Sequence, residues 1–114
     1  MPYPRDLRPV SGVPGHFALR VDPDHPAFDG HFPGDPILSG LIQVDWAIRL
    51  SREAFGFTDP FRALEHLKFQ APIRPAEPVE LRLFWDASRG WLDFVYWGQE
   101  GRKSQGIAVF ATAP

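Results

Sequence analysis

The stretch from Leu41 to Leu50 constrains the fold more than any other part of the chain. Seven of its ten residues are apolar, and they are interrupted only by Gln43, Asp45 and Arg49. This spacing is typical of a helix whose apolar surface is wider than the stripe on an ordinary surface helix, so we expect the domain to wrap most of its sides. Asp45 is therefore predicted to have little water around it, where a carboxylate needs a partner or a function.

The residues on either side of this stretch set the bounds of the helix. Ser39 or Gly40 is the predicted N-cap, because both residue types are favoured at that position. The helix is expected to run to about Phe55, where Gly56 ends it and the following Asp59-Pro60 prevents its continuation.

The loop in front of the helix is long and stiff. Residues 22–36 are rich in Pro, Gly and Asp, and a loop of this length in a compact domain is more often functional than not. The segment just before the helix has only two ionisable side chains, His31 and Asp35. Its backbone is restrained by Pro33, Gly34, Pro36 and Gly40.

The rest of the chain predicts strands. Alternating segments rich in aromatic or β-branched residues predict five strands, at residues 16–21, 64–69, 79–85, 91–97 and 103–111. Residues 1–13 are expected to form an extended arm without regular structure, which leaves residues 14–114 as a single domain. One strand, a long apolar helix and four further strands predict an α+β fold in which an antiparallel sheet curls around the helix.

The composition excludes several classes of function. With 12 Lys and Arg against 14 Asp and Glu, and no basic block, the chain lacks the charge of a nucleic-acid-binding protein. Without Cys it has no disulfide, thiolate metal site or cysteine nucleophile. No segment has the apolar length of a membrane span or a signal peptide, so we expect a cytoplasmic protein. Four Trp and ten Phe favour a shaped apolar cavity.

The loop and the helix together resemble a known family. His31-Phe32-Pro33-Gly34, followed by Pro36, Gly40 and Asp45, is similar to the signature of the β-hydroxyacyl-acyl-carrier-protein dehydratases of fatty acid synthesis, which have the hotdog fold. In that family a Gly lies nine residues, and an acidic residue fourteen residues, after the His. Residues 67–75 resemble the family's third strand, and residues 43–47 resemble a branch from aryl-polyene biosynthesis clusters. Ser39 departs from the pattern, since the family usually has Pro there.

The resemblance implies an enzyme that converts 3-hydroxyacyl thioesters, carried on acyl carrier protein, to trans-2-enoyl thioesters in fatty acid, aryl polyene or related polyketide synthesis. His31 and Asp45 are the implied catalytic residues, and Gly40, Phe32 and Trp46 would bind the thioester and the acyl chain. It also implies a homodimer, or a higher homo-oligomer, whose active sites take the His and the carboxylate from opposite subunits. Neither a metal nor a diffusible cofactor is expected, because the phosphopantetheine arm of acyl carrier protein presents the substrate.

These residue types suit the reaction. Removal of the weakly acidic α-proton needs a base with a pKa near the working pH, as histidine has. Expulsion of hydroxide from the β-carbon needs either a carboxylic acid that burial keeps protonated or a carboxylate that orients water, and Asp45 fits both roles. The enolate needs donors, which the first free N–H groups of a helix can supply, and the resemblance implies that the N–H of Gly40 is the one used.

Plainer interpretations of the catalytic candidates stay open. His31 can be a loop histidine bonded to the backbone, and Asp45 can pair with Arg49 four residues on. Gly40 can be no more than a tight start to the helix. At the level of function, the alternatives are a hotdog thioesterase that uses a carboxylate and water, and a non-catalytic member that binds carrier proteins or partner subunits.

Other ionisable residues are expected to have structural or solvated roles. One set consists of the histidines, His16, His25 and His66, whose scatter along the chain indicates no metal site. The other set consists of cations that can also dock an acidic carrier protein, Arg74, Arg102 and Lys103.

Overall fold

The structure is a computed structural model that describes residues 1–30 and 34–112, and this part of the chain contains one α-helix and six strands. In chain order the elements are β1 (Asp6–Pro9), β2 (His16–Arg20), a 3-10 turn (Pro26–Phe28), α1 (Gly40–Phe55), β3 (Phe61–Phe69), β4 (Val79–Asp86), β5 (Trp91–Gly98) and β6 (Gly101–Phe110). The predicted α+β class is confirmed, and the five predicted strands correspond to β2 through β6.

The strands form one antiparallel sheet with the order β1-β2-β4-β5-β6-β3. After α1 the chain enters β3 at the far edge of the sheet, where this strand pairs with β6. The pairing shifts between Glu65 and Lys68, so β3 bulges at His66, whose φ of 52° lies in the left-handed region. Within the described chain β3 is therefore a long edge strand with a neighbour on one side.

The N-terminal segment contains a strand that the sequence did not predict. Asp6–Pro9 pairs with β2, with Asp6 opposite Arg20 and Pro9 opposite Phe17. Proline does not prevent this pairing, because β1 lies at the sheet edge, where a missing backbone N–H is tolerated. The expectation that residues 1–13 lack regular structure is wrong for this four-residue strand.

Both ends of α1 follow the predicted capping pattern. Ser39 is the N-cap, and its hydroxyl accepts a hydrogen bond from the Ile42 N–H at 3.3 Å. Gly56 ends the helix with a φ of 73°, and its N–H donates to the Arg52 carbonyl at 2.8 Å. The predicted bounds of the helix are confirmed.

Only one face of α1 is covered by the sheet. The buried residues of the helix are Gln43, Val44, Trp46, Ala47, Leu50 and Ser51. By contrast, Leu41 is 81% exposed, and Ile48 is only half-buried. The expectation that the domain wraps most sides of the helix is wrong for the isolated chain, because one sheet covers one face and an apolar surface remains outside it.

Candidate active site

An open groove of about 540 Å³ lies at the N-terminal end of α1. It is lined by residues 37–40, by Gln43 and by residues 69–72, so it lies between the helix start and the end of β3. Most of this lining is apolar, and its polar side chains are those of Ser39, Gln43 and Gln70. Such a combination is the usual form of a small-molecule site.

Gly40 is the first residue of the helix and forms part of this groove. The N–H groups of Gly40 and Leu41 have no acceptor among the described residues, as expected in the first turn of a helix. Together with the positive end of the helix dipole, these donors can stabilise a developing negative charge. The ring of Phe69 packs directly over Gly40, where a β-carbon would collide with it.

Asp45 lies on the uncovered face of the helix. Its side chain is 45% exposed, and its Oδ2 accepts a hydrogen bond from Arg49 Nη1 at 3.0 Å. Arg49 also donates to the Met1 carbonyl at 2.6 Å and lies over the ring of Tyr3 at 4.4 Å. The prediction that Asp45 has little water around it is therefore wrong in the isolated chain, and the alternative pairing with Arg49 is observed. The reason is that the sheet covers only the opposite face of α1.

Gly40 and Asp45 do not face the same groove. Their separation of five positions places them about 140° apart around the helix axis and roughly 7.5 Å apart along it. Gly40 lines the groove, and Asp45 does not. The described part of the chain therefore does not by itself bring these two predicted residues into one site.

Trp46 lies in the core rather than in the groove. It is 1% exposed, its Nε1 donates to the Met1 carbonyl at 3.4 Å, and its ring packs edge-to-face on His25. His25 Nδ1 accepts the Ala27 N–H at 3.0 Å, and Nε2 lies 3.1 Å from the Pro2 carbonyl, so this histidine is structural as predicted. The substrate role of Trp46 stays a prediction.

Two predicted site residues, His31 and Phe32, lie outside the described residues. The catalytic role of His31 and the binding role of Phe32 therefore also stay predictions. Just after them, Asp35 pairs with Arg74, which ties the loop to the segment between β3 and β4.

A buried polar network that the sequence analysis missed lies beside the groove. Gln43 is 3% exposed, and Tyr96 and Ser104 are fully buried. Ser104 Oγ donates to Gln43 Oε1 at 2.6 Å, Gln43 Nε2 donates to the Leu38 carbonyl at 3.0 Å, and Tyr96 Oη donates to the Gln43 carbonyl at 2.7 Å. Burial, and to a lesser extent the charge of Asp45, raises the pKa of Tyr96. The available signal was a lone polar residue, Gln43, on the apolar face of the predicted helix.

The three cations predicted as solvated or docking groups have different surroundings. Lys103 is 15% exposed and pairs with Glu77 at 2.5 Å, so it is structural. Arg74 is held by the loop carboxylate described above. Arg102 is exposed and donates to Gln105 Oε1 at 2.8 Å, a neutral partner. Of the three, Arg102 is the best placed to meet an acidic partner.

Residues 1–30 and 34–112 contain no group of three or more His, Cys, Asp or Glu side chains placed to hold a metal ion. In the same part of the chain, α1 is too short and too polar to cross a membrane.

Solved structures share this architecture. The chain is similar to the dehydratase heterocomplex ApeI:P from Xenorhabdus doucetiae, with a TM-score of 0.86, 28% identity and coverage of 96% of this chain and 98% of the other. It is also similar to an uncharacterized protein from Erwinia carotovora subsp. atroseptica, with a TM-score of 0.77, 31% identity and coverage of 94% and 90%. With the sheet order and the packing of α1 against the sheet, these similarities define a hotdog-fold protein.

Sequence similarity identifies the family within that fold. A family model described as ApeI-like, ApeI dehydratase, matches residues 12–107, and the chain therefore belongs to the ApeI-like dehydratase family. It is 32% identical over 93 residues to the 3-hydroxyacyl-[acyl-carrier-protein] dehydratase FabZ of Latilactobacillus sakei subsp. sakei (strain 23K), covering 71% of this chain and 66% of that protein. For the FabZ of Caulobacter sp. (strain K31) the identity is 26% over 87 residues, covering 68% and 52%. The chain thus spans between half and two thirds of the length of these curated relatives.

Proposed function

We propose that this chain is an acyl-thioester dehydratase that removes water from 3-hydroxyacyl thioesters to give trans-2-enoyl thioesters. The observation that carries the proposal is the apolar groove at the N-terminus of α1, which Gly40 lines and where the N–H groups of Gly40 and Leu41 have no acceptor among the described residues. The family and the activity named for the FabZ relatives support the same reaction.

The reaction needs a proton acceptor, a stabilised enolate and a proton donor. The imidazole of His31 takes the α-proton, and the electron pair of that C–H bond moves toward the thioester carbonyl, whose oxygen is stabilised by the Gly40 N–H. The C–O bond at the β-carbon then breaks, and the electron pair returns to form the conjugated C=C bond. The leaving hydroxyl takes a proton from the water molecule that Asp45 orients, and the protonated imidazole of His31 returns its proton to that water. The net change is therefore the loss of one water molecule, and both side chains return to their starting state.

Of the two roles predicted for Asp45, its surroundings support the carboxylate that orients water. The side chain is half exposed and accepts a hydrogen bond from the Arg49 guanidinium, which pairs with a charged carboxylate. Because Gly40 and Asp45 lie on different sides of α1, a complete site takes one of them from a second subunit.

We propose that the second subunit packs against the uncovered face of α1 and the edge of β3. Leu41, Leu67 and Phe69 are 81%, 38% and 51% exposed, and exposed apolar side chains beside an open sheet edge are typical of a subunit interface. We propose a homodimer. The alternative is a different partner subunit, because the name of the similar structure from Xenorhabdus doucetiae describes a heterocomplex. Acyl carrier protein presents the substrate, as the names of the FabZ relatives indicate for those enzymes.

Turnover of a 3-hydroxyacyl thioester of acyl carrier protein tests the proposal. The conjugated enoyl product absorbs ultraviolet light, and His31→Ala is expected to abolish its formation. The matched control is His16→Ala, which replaces a half-buried histidine of β2 outside the groove and is expected to retain activity. Unchanged turnover in His31→Ala contradicts the assignment of the base.

Two other outcomes would identify the alternative functions. Release of free thiol without enoyl product would indicate a thioesterase. Binding of acyl carrier protein without turnover, for the chain alone and with a candidate partner subunit, would indicate a non-catalytic member.

A further inference from the structure

The side-chain amide of Gln43 links α1 to two other parts of the chain. Its Nε2 donates to the Leu38 carbonyl, in the segment before the helix, and its Oε1 accepts from Ser104 of β6. A backbone carbonyl can only accept, so the orientation of the amide is determined by its partners. Every buried side-chain nitrogen or oxygen of the described residues has a hydrogen-bond partner, so the network is complete there.

Through this network Leu38 is held from both sides. Its N–H donates to the Ile73 carbonyl at 2.8 Å, while its own carbonyl accepts from Gln43 at 3.0 Å. Neither peptide group that flanks Leu38 can rotate without breaking a hydrogen bond, and a broken bond to a buried group is costly. Ser39 and Gly40 follow directly in the chain, so the position of the first helical N–H groups depends on this anchor.

The buried face of α1 is otherwise mainly apolar, so a glutamine at this position needs an explanation. An apolar pair in place of Gln43 and Ser104 would need no hydrogen-bond partners of its own, but it would leave the Leu38 carbonyl without its donor. Complete polar networks in a core specify one arrangement of the groups around them. Since Gln43 also lines the groove that contains Gly40, the arrangement it specifies is that of the groove.

We propose that Gln43 is a positioning residue for the dehydration: by tying Leu38 to Ser104, it holds the N–H groups of Gly40 and Leu41 where the thioester oxygen binds. This inference rests on the proposed function. Gln43 acts through the backbone and does not contact the reacting atoms. Because a misplacement of about 1 Å can lower a rate about a hundredfold, a loosened anchor is expected to lower kcat more than it changes KM.

Ser104→Ala tests this role while leaving every groove residue in place. It removes the hydroxyl that holds Gln43 Oε1, and its matched control is Ser51→Ala. That control removes another fully buried hydroxyl, which donates to the Ile48 carbonyl at 2.7 Å near the other end of α1. We expect Ser104→Ala to lower kcat about tenfold to a hundredfold with KM changed less than about twofold, and Ser51→Ala to keep its kcat. Equal losses of kcat in the two variants overturn the proposal.

A double variant separates positioning from folding. Gln43→Leu leaves the Ser104 hydroxyl buried without a partner and lowers Tm, and the addition of Ser104→Ala removes that unpaired group, so part of the Tm is expected to return. The kcat is not expected to return, because the Leu38 carbonyl is still without its anchor. Recovery of kcat together with Tm would show that Gln43 serves folding alone.

The proposed function and this inference fail in different ways. If the wild-type chain, alone and with a partner subunit, forms no enoyl product, the proposed function falls, and with it the catalytic part of this inference. The NMR signals of the Gly40 and Leu41 amides then decide the structural part. Signals that shift or broaden in Ser104→Ala but not in Ser51→Ala support the anchor, and unchanged signals in Ser104→Ala overturn it.

Discussion

The ring of Phe69, the last residue of β3, lies over the first residue of α1, Gly40, so closely that no β-carbon fits between them. In the isolated chain a phenyl ring therefore fills the space beside the Gly40 Cα, at the wall of the groove. Phe69 is 51% exposed, so its ring can turn away without opening the core. Phe69 thus belongs both to the edge strand β3 and to the wall of the groove.

Gly40→Ala is expected to lower kcat/KM more than about tenfold and to change the free energy of unfolding by less than about 1 kcal/mol. The added methyl displaces only the outer end of a half-exposed ring but remains beside the N–H that binds the thioester oxygen. Steady-state kinetics and urea unfolding measure the two effects.

The control is Gly56→Ala. The added β-carbon at this position meets no atom within 4 Å, but the backbone φ of +73° disfavours alanine. That variant is expected to lose about 1–2 kcal/mol of stability and to keep its kcat/KM. The opposite pattern would contradict the role of Gly40.

Asp45→Asn is expected to lower kcat at least about a hundredfold with little effect on folding. The pair with Arg49 is half exposed, and such pairs contribute roughly 0.3–0.5 kcal/mol. Glu80→Gln is a close control, because Glu80 pairs with Arg82 at the same distance of 3.0 Å and at similar exposure. Turnover and urea unfolding of both variants are compared. If the two keep the same kcat, Asp45 has a structural role only.

Two substitutions at Ser39 test the effect of having serine where the family pattern has proline. Its φ of −64° already suits proline, and its own N–H has no acceptor among the described residues. Ser39→Ala loses the cap to Ile42 and is expected to cost about 1 kcal/mol. Ser39→Pro also loses the cap, but proline lowers the conformational entropy of the unfolded chain. This effect is expected to offset about 0.4–1 kcal/mol of the lost stability. Urea unfolding should therefore rank wild type and Ser39→Pro above Ser39→Ala, and a Ser39→Pro variant less stable than Ser39→Ala would contradict this balance.

Tyr96 gives the fold a dependence on alkaline pH. Burial raises the pKa of Tyr96 in the folded state above its unfolded value of about 10. The stability linked to its protonated form is therefore complete below that pH and is lost as the pH rises above it. At neutral pH, Tyr96→Phe is expected to be about 1 kcal/mol less stable than wild type, because the hydrogen bond to the Gln43 carbonyl is gone. As the pH rises above about 10, the free energy of unfolding is expected to fall less in Tyr96→Phe than in wild type. Urea unfolding at about pH 8 and about pH 11 measures this difference. Parallel losses in the two proteins would show that another group controls the alkaline limit.

Features that depend on neighbouring residues could be predicted from the sequence. The helix and its two caps follow from Ser39, the apolar periodicity and Gly56, all of which act within a few positions of one another. Five of the six described strands, β2 to β6, likewise follow from the alternation of apolar residues and from the turn residues between them.

Features that depend on distant contacts could not. The contact of Phe69 with Gly40 and the hydrogen bond from Ser104 to Gln43, which are 61 positions apart, arise only when β3 and β6 lie beside the helix. The exposure of Asp45 could not be predicted for a related reason. The apolar residues around Asp45 indicate that this part of the helix is covered, but they do not indicate which molecule covers it. An apolar periodicity shows which helix face avoids water, but not whether the same chain or another provides the cover.

The open edge of the nine-residue strand β3 affects how much folded, active protein accumulates in a cell. Copies made in excess of whatever covers that edge present open backbone groups to one another, and such edges favour aggregation. Proteases and chaperones are expected to remove these surplus copies. In the proposed homodimer the covering chain is a second copy, so the covered fraction rises with the concentration of this chain itself. In a heterocomplex the covered fraction is set by the supply of the other subunit instead.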